Sequence, residues 1–111
     1  MTQADRRAAV AAYRERKPQG GIYALRCGPT GQVWLGRSHR LDAQRNAVGF
    51  QLRHGGVASP SLRAACRAHG PDAFTFETLE EAPQDLTPLG LTDLLKRRLA
   101  HWREVLGADL I

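Results

Sequence analysis

The segment GIYALRCGPTGQVWLG, residues 21–36, is the main determinant of the fold. Two short apolar runs, 22–27 and 32–36, flank the tetrapeptide Gly-Pro-Thr-Gly at 28–31. Glycine tolerates positive φ and proline presets φ, so this tetrapeptide has the chemistry of a turn. Two short apolar runs joined by such a turn predict a β-hairpin.

The loop also predicts the register of the hairpin. If residues 28–31 form the loop, Tyr23 faces Gly36 and Leu25 faces Trp34 across the two strands. Side chains alternate between faces along a strand, so Tyr23 and Trp34 share one face as diagonal neighbours. Gly36 has no side chain and is expected to leave the space beside the Tyr23 ring open. A tyrosine, an indole and a gap on one face predict a functional site.

The triplets Gly21–Tyr23 and Trp34–Gly36 resemble the signature of the GIY-YIG nuclease superfamily, with GIY intact and the second triplet altered. The resemblance covers about residues 20–106, most of the chain. Further landmarks follow in the order found in small phage homing-endonuclease domains. A first helix is expected at 41–52 and a closing helix at 94–106. Between them, Ser61 and Leu62 lead to His69 and Gly70 along a second helix, and Phe74, Leu79 and Glu80 follow on a third strand.

The expected fold is α+β, with a small three-stranded antiparallel sheet flanked by helices in the order α-β-β-α-α-β-α. We expect an N-terminal helical extension at 1–19 and a GIY-YIG-like domain at 20–111. The extension is alanine-rich over residues 4–16, and its helix is expected to end before Pro18, because a residue that precedes proline disfavours the α region.

The charge of the chain is unevenly distributed. The net charge is +5, but residues 1–70 carry twelve Lys or Arg and three Asp or Glu, a difference of +9. Residues 71–111 carry four and eight, a difference of −4. A basic front half favours a polyanionic partner, because Lys and Arg contacts to phosphate release counterions. Charge alone fits a basic surface without a partner equally well, and the motif favours nucleic acid, with DNA expected.

The composition argues against a membrane protein, a secreted protein and a cysteine-based metal or redox site. No run approaches eighteen apolar residues, so no membrane span is expected, and the N-terminus lacks the apolar stretch of a secretory signal. Cys27 and Cys66 have neither metal-ligand nor redox spacing. Free thiols in a cytoplasmic protein are therefore expected, with a single disulfide as the less favoured alternative.

The resemblance implies roles for two aromatic residues. In the superfamily, the tyrosine that Tyr23 matches helps to position or deprotonate the attacking water, and a phenol can both donate and accept a hydrogen bond. Trp34 departs from the pattern, because indole has an N–H donor and no acidic hydroxyl. Trp34 could stack on a base or sugar within the site, or it could simply pack across the strands.

Arg45 is the candidate for the arginine that the superfamily carries on its first helix, where it contacts the scissile phosphate. A planar, always charged guanidinium suits that task. Leu41, Arg45, Val48 and Leu52 fall at helical spacing and share one face. Counting from the second triplet puts the family arginine more often at Gln44, whereas Arg45 fits if the preceding loop holds one extra residue.

Other arginines are candidates for contacts with the nucleic-acid backbone. Arg37 follows the second triplet directly, where some relatives place a lysine. Contacts to the sugar-phosphate backbone carry no sequence preference of their own. The remaining candidates are Arg40, Arg53, Arg63 and Arg67.

The expected metal ligand is missing. The superfamily holds one divalent cation, Mg²⁺ or Mn²⁺, with a glutamate on its closing helix a few residues before an aromatic that Trp102 resembles. Residues 94–103 contain no Asp or Glu, and the matching positions hold Arg97 or Leu99. Asp93 and Glu104 flank this gap, and Glu77 and Glu80 on the third strand could substitute, but no motif recommends them.

Three functions remain open from the sequence. The first is a divalent-metal-dependent endonuclease that hydrolyses phosphodiester bonds, with Tyr23 positioning water and Arg45 holding the phosphate. The second is a nucleic-acid-binding module that keeps the fold without cleavage, which the changes at Trp34 and on the closing helix favour. The third is a structural or interaction protein, for which the basic front half would need another explanation.

Overall fold

The structure is a computed structural model that describes residues 19–111, so the predicted N-terminal helix at 4–16 lies outside the described part of the chain. Each strand and helix matches a segment expected from the sequence, except for one short turn of 3₁₀ helix and a final strand. In chain order the elements are β1 (Gly21–Cys27), β2 (Val33–Ser38), α1 (Leu41–His54), α2 (Pro60–His69), the 3₁₀ turn (Pro71–Ala73), β3 (Phe74–Glu81), α3 (Pro88–Leu106) and β4 (Asp109–Leu110).

The hairpin of β1 and β2 has the predicted register. Tyr23 pairs with Gly36 and Leu25 with Trp34. Gly31 closes the turn at φ +71°, a conformation that suits glycine, and its N–H donates to the carbonyl of Cys27 at 2.8 Å.

The sheet has the order β3-β1-β2-β4. The three longer strands are antiparallel, which confirms the predicted fold class. The short β4 runs parallel to β2 and makes the sheet mixed, and the N–H of Ile111 donates to the carbonyl of Leu35 at 2.9 Å. A two-residue strand carries no periodicity, so the sequence offered no signal for it.

The helix ends follow the local capping chemistry. The hydroxyl of Ser59 accepts a hydrogen bond from the N–H of Leu62 at the start of α2, as its Ser-Pro start predicts. Thr87 caps α3 in the same way through the N–H of Gly90, so α3 begins at Pro88, earlier than the apolar stripe indicated. None of the helices within residues 19–111 has the length and apolar character needed to cross a membrane.

The sheet separates two apolar cores. Side chains of α1 and α2 pack with Tyr23, Leu25 and Trp34 on one face, which we call the tyrosine face. Leu95 and other apolar residues of α3 pack with Ile22 on the opposite face. The alternation along β1 thus assigns Tyr23 to the α1 side and its neighbour Ile22 to the α3 side.

A β-bulge on β3 decides which face receives Glu80. Tyr23 pairs with Thr78 but Ile22 pairs with Glu80, so β3 has one extra residue, Leu79, at this point. Leu79 and Glu80 both contact the α3 side, whereas simple alternation from Thr78 would turn Glu80 toward the tyrosine face. A Cβ at Gly21 would overlap the Glu80 carbonyl oxygen, so glycine is required beside the bulge.

Candidate active site and nucleic-acid interface

Tyr23 is buried in the apolar core on the tyrosine face of the sheet. Its side chain is only 1% exposed, and its ring stacks on Phe76 of β3 with a centroid distance of 4.7 Å and an angle of 14° between the planes. Burial raises the pKa of the Tyr23 phenol from 10.0 to about 12, because the charged phenolate would lose its hydration, and a hydrogen bond with Gln44 opposes this increase. At neutral pH the hydroxyl is therefore protonated.

The space over Gly36 is occupied, which corrects the open gap expected from the sequence. A Cβ built on Gly36 would overlap Cζ and the hydroxyl oxygen of Tyr23. The absence of a side chain at Gly36 lets the tyrosine ring lie directly over the strand backbone. Gly36 therefore holds the ring in place and leaves no vacant pocket beside it.

The side chain of Gln44 on α1 is directed at the Tyr23 hydroxyl. Its half-buried amide lowers the pKa of the phenol, as expected for an N–H placed to donate to the oxygen. Gln44 is also the position to which counting from the second triplet leads. Gln44 therefore has a neutral amide at the position where the superfamily would more often have an arginine.

Arg45 lies next to the same aromatic layer. Its guanidinium carbon is 5.2 Å from the centroid of the Phe76 ring, in a cation–π contact. Because Phe76 stacks on Tyr23, a single ring connects the predicted phosphate-binding arginine with the predicted catalytic tyrosine. Arg45 itself is exposed, whereas Leu41, Val48 and Leu52 of its predicted stripe are buried. The charge stays in solvent, so Arg45 needs no buried partner.

A groove runs along the exposed side of α1, with a volume of about 540 Å³. The 3₁₀ turn forms part of its rim and β3 contributes to its floor. We call it the α1 groove; its residues are Arg45, Asn46, Val48, Gly49, Phe50, Leu52, Arg53 and His54 of α1, Pro71 and Asp72 of the 3₁₀ turn, Phe74 and Phe76 of β3, and Leu25 of β1. Three basic side chains and one carboxylate line it, so it is suited to an anionic ligand.

The other predicted backbone-contact residues are dispersed. Arg53 lines the α1 groove with Arg45. Arg37 pairs with Ile22 across the hairpin and so lies on the α3 side of the sheet. Arg40 is exposed just before α1, and Arg63 and Arg67 are exposed on α2, where the Arg63 guanidinium donates to the carbonyl of Val57 at 3.1 Å.

Trp34 is a packed residue of the tyrosine face. Its side chain is 1% exposed, and its ring packs at an angle of 53° against Phe74 with a centroid distance of 5.9 Å. Its indole N–H donates to the hydroxyl of Ser61 on α2 at 2.9 Å. Trp34 therefore connects β2 to α2. Its buried ring contributes to the site by packing and does not contact solvent.

Glu77 and Glu80, the two carboxylates considered as substitutes for the missing metal ligand, both pair with arginines. Glu80 accepts hydrogen bonds from Arg98 at 2.7–2.9 Å and from the Trp102 indole at 3.2 Å, on the α3 side. The Arg98 hydrogen bonds hold the pKa of Glu80 below its ordinary value. Glu77 pairs with Arg26 at 2.9 Å.

This donor chemistry does not fit the cation that the resemblance implies. Within residues 19–111 no three His, Cys, Asp or Glu side chains are grouped closely enough to hold a metal. Asp93 of α3 pairs with Arg97 on its own exposed helix surface at 3.2 Å. A hard divalent cation requires carboxylate oxygens that are not already neutralised.

Sequence reasoning missed two residues of the α1 groove. Phe50 lies outside the predicted apolar stripe of the first helix, and its side chain is 64% exposed and packs on His54 with a centroid distance of 4.3 Å. Gly49 lies on the same surface and has no atom near the position of an added Cβ. The available signal was an aromatic residue outside the apolar stripe of an otherwise basic helix.

Comparison with solved structures supports the fold. Two solved structures are similar to this chain, both of the catalytic domain of the homing endonuclease I-TevI, one of them a glutamate-to-alanine mutant described as an intron endonuclease. The mutant structure gives a TM-score of 0.67 at 24% identity over 80% of this chain and 84% of that one. The other gives 0.68 at 24% identity over 79% and 88%. The chain therefore has a GIY-YIG-like fold, as its two triplets predicted. No family model and no curated protein matches it.

Proposed function

We propose that this chain is an endonuclease-like domain that acts on nucleic acid, with DNA as the substrate and phosphodiester hydrolysis as the reaction. The observation that carries the proposal is the Arg45–Phe76–Tyr23 stack in a fold shared with endonuclease catalytic domains. A fold alone specifies no reaction, so the proposed reaction is inferred from these side chains.

Arg45 is the proposed phosphate ligand. Its guanidinium is exposed at the α1 groove, is charged at any physiological pH and can bind two phosphate oxygens at once. Contact with Phe76 restricts the rotation of the side chain, which lowers the entropy that phosphate binding would cost.

Tyr23 is the proposed water-positioning residue. With its pKa raised to about 12, the phenol is a hydrogen-bond donor at neutral pH and is a poor general base. Its hydroxyl is enclosed and contacts Gln44, so the proposed route to the attacking water runs through the half-buried Gln44 amide. Since the described acidic residues do not fit a divalent cation, the proposal contains no step through one.

A second candidate function is nucleic-acid binding without cleavage. It is favoured by the enclosed Tyr23 hydroxyl, by the amide at Gln44 and by the neutralised carboxylate of Glu80. Arg45 and the α1 groove would have the same role in both candidates.

Nicking of supercoiled plasmid in Mg²⁺ or Mn²⁺, measured beside salt-dependent DNA binding, tests both candidates. The variants are Tyr23→Phe, Arg45→Ala and, as a matched exposed arginine on α3, Arg103→Ala. The proposal predicts that the parent and Arg103→Ala nick DNA, that Tyr23→Phe binds without nicking, and that Arg45→Ala loses both.

The other outcomes separate the alternatives. Binding without nicking by the parent selects the second candidate. Equal nicking by all four proteins would indicate a contaminant and remove the assignment of Tyr23 and Arg45. No binding even at low salt would refute any action on nucleic acid.

A further inference from the structure

We propose that the α1 groove binds an unpaired nucleotide of a DNA strand, with the base stacked on Phe50 and its flanking phosphates on Arg45 and Arg53. This inference rests on the proposed action on nucleic acid and specifies the form of the substrate. Its central residues, Phe50 and Gly49, are ones that no motif of the sequence recommends.

Two rows of side chains define the exposed side of α1. Arg45, Gly49 and Arg53 are spaced four residues apart, and so are Asn46, Phe50 and His54. Residues four apart on a helix are neighbours on its surface, so the two rows lie side by side. Cations therefore stand at both ends of the groove, and an aromatic ring with an adjacent glycine lies at its centre.

Packing within residues 19–111 does not explain the position of Phe50. With 64% of its side chain exposed, it buries little apolar surface, and its ring partner among these residues is His54, one turn further along α1. An exposed aromatic ring between arginines is typical of surfaces that bind single strands, where bases stack on the ring.

Gly49 leaves the centre of the groove open. An added Cβ would have no atom within 4 Å, so packing does not require glycine here, and φ is not positive. Glycine inside a helix costs stability relative to alanine, because it loses more backbone freedom on folding. Room for a ligand beside Phe50 provides a reason for that cost.

The size and walls of the groove fit one nucleotide. Its volume of about 540 Å³ is within the range of sites that hold a small organic molecule. The half-buried rings of Phe74 and Phe76 line its inner side. In a duplex, both faces of each base are covered by neighbouring bases, so only an unpaired base can present its face to Phe50.

The charges orient such a nucleotide. Arg45 and Arg53 are about 12 Å apart along the helix axis, so they reach phosphates on either side of one base. Asp72 on the opposite rim would repel a phosphate but can accept a hydrogen bond from an exocyclic amino group. The backbone is thus expected along α1, with the base edge directed toward the 3₁₀ turn.

Fluorescence anisotropy with a labelled single strand of about 12 nucleotides, and a hairpin duplex of the same length, tests the proposal. The variants are Phe50→Ala, Phe50→Trp as a conservative replacement, Gly49→Leu to fill the groove, and Leu89→Ala as a control on α3, where Leu89 is 82% exposed. All alter exposed or open positions, and circular dichroism verifies their folding.

The expected result is tighter binding of the single strand than of the duplex. Phe50→Ala and Gly49→Leu should weaken single-strand binding at least about fivefold, with Phe50→Trp and Leu89→Ala close to the parent. A 2-aminopurine base in the strand should be quenched on the parent and recover on Phe50→Ala, which reports stacking directly. Tighter binding of a matching RNA strand, with the same variant pattern, would support the site and identify RNA as its ligand.

Equal binding of strand and duplex, with Phe50→Ala and Gly49→Leu unchanged, would overturn the unpaired-nucleotide site and leave the proposed function standing. A failure of both DNA forms to bind at low salt would overturn the two proposals together.

Discussion

At the scale of single residues, Tyr23 shows how a motif residue can be shaped by its neighbours. Gly36 lets its ring lie on the strand, Phe76 covers the other side, and Gln44 reaches its hydroxyl. The consequence is a phenol with a pKa of about 12, which suits a hydrogen-bond donor better than a base.

This environment predicts a separate titration of Tyr23. The chain contains two tyrosines, so ultraviolet absorbance should show one phenol ionising near pH 12 that is absent from Tyr23→Phe. The raised pKa means that the folded state holds this proton more tightly than the unfolded state. The resulting stabilisation, about 2–3 kcal/mol, is complete below pH 10 and is lost as pH rises from 10 to about 12. An ionisation of Tyr23 near pH 10 would contradict its burial.

Two glycines provide a matched test of packing. Gly36→Ala would push a methyl group into the Tyr23 ring and should lower the free energy of unfolding by about 1–3 kcal/mol. Gly49→Ala meets no atom within 4 Å and should raise it by about 0.5–1 kcal/mol. Urea denaturation measures both, and equal effects would show that the ring does not occupy the space over Gly36.

At the scale of elements, the bulge in β3 separates the two sides of the sheet chemically. It turns Glu80 away from Tyr23 and toward Arg98 and Trp102 of α3. The same carboxylate therefore attaches α3 to the sheet and is removed from the tyrosine face.

Glu80→Gln should loosen this attachment. We expect a loss of about 1–2 kcal/mol in the free energy of unfolding at pH 7, because the carboxylate that accepts from the charged Arg98 guanidinium becomes a neutral amide and the ion pair is lost. The pKa of Glu80 is lowered in the folded state, so this difference from the parent is present above the ordinary value of 4.5 and shrinks as pH falls. Thr78→Val, at an exposed position on the same strand, is the control. A difference between parent and variant that is constant from pH 7 to pH 3 would contradict a charged Glu80.

Much of the fold could be predicted because local chemistry determined it. The turn at 28–31 set the register of the hairpin, and Ser59 with Pro60 marked the start of α2. The bulge at Leu79 and the two-residue β4 were not predictable, because both arise from strand pairing between distant segments.

The candidate site was predictable only in part. The sequence drew attention to Tyr23 and Arg45 but gave no sign that Phe76, far along the chain, would stack between them. The choice between Gln44 and Arg45 also needed three dimensions, since Gln44 contacts the hydroxyl and Arg45 lines the groove.

At the scale of the whole molecule, the two arginines of the α1 groove differ from three arginines on the α3 side in their carboxylate partners. On the α3 side, Arg26, Arg97 and Arg98 pair with carboxylates. On the α1 side, Arg45 and Arg53 line a groove that contains one carboxylate, Asp72. An incoming polyanion should therefore be attracted to the α1 side, and more weakly as salt increases.

Chemical-shift mapping of the ¹⁵N-labelled protein with a short DNA strand shows whether nucleic acid binds on the α1 side, at the groove that holds Arg45. We expect DNA to shift the backbone amides of residues 45–54 and 71–76 and to leave those of residues 93–105 unchanged. Arg45→Ala should lose these shifts. Shifts confined to α3, or none at low salt, would contradict binding on the α1 side.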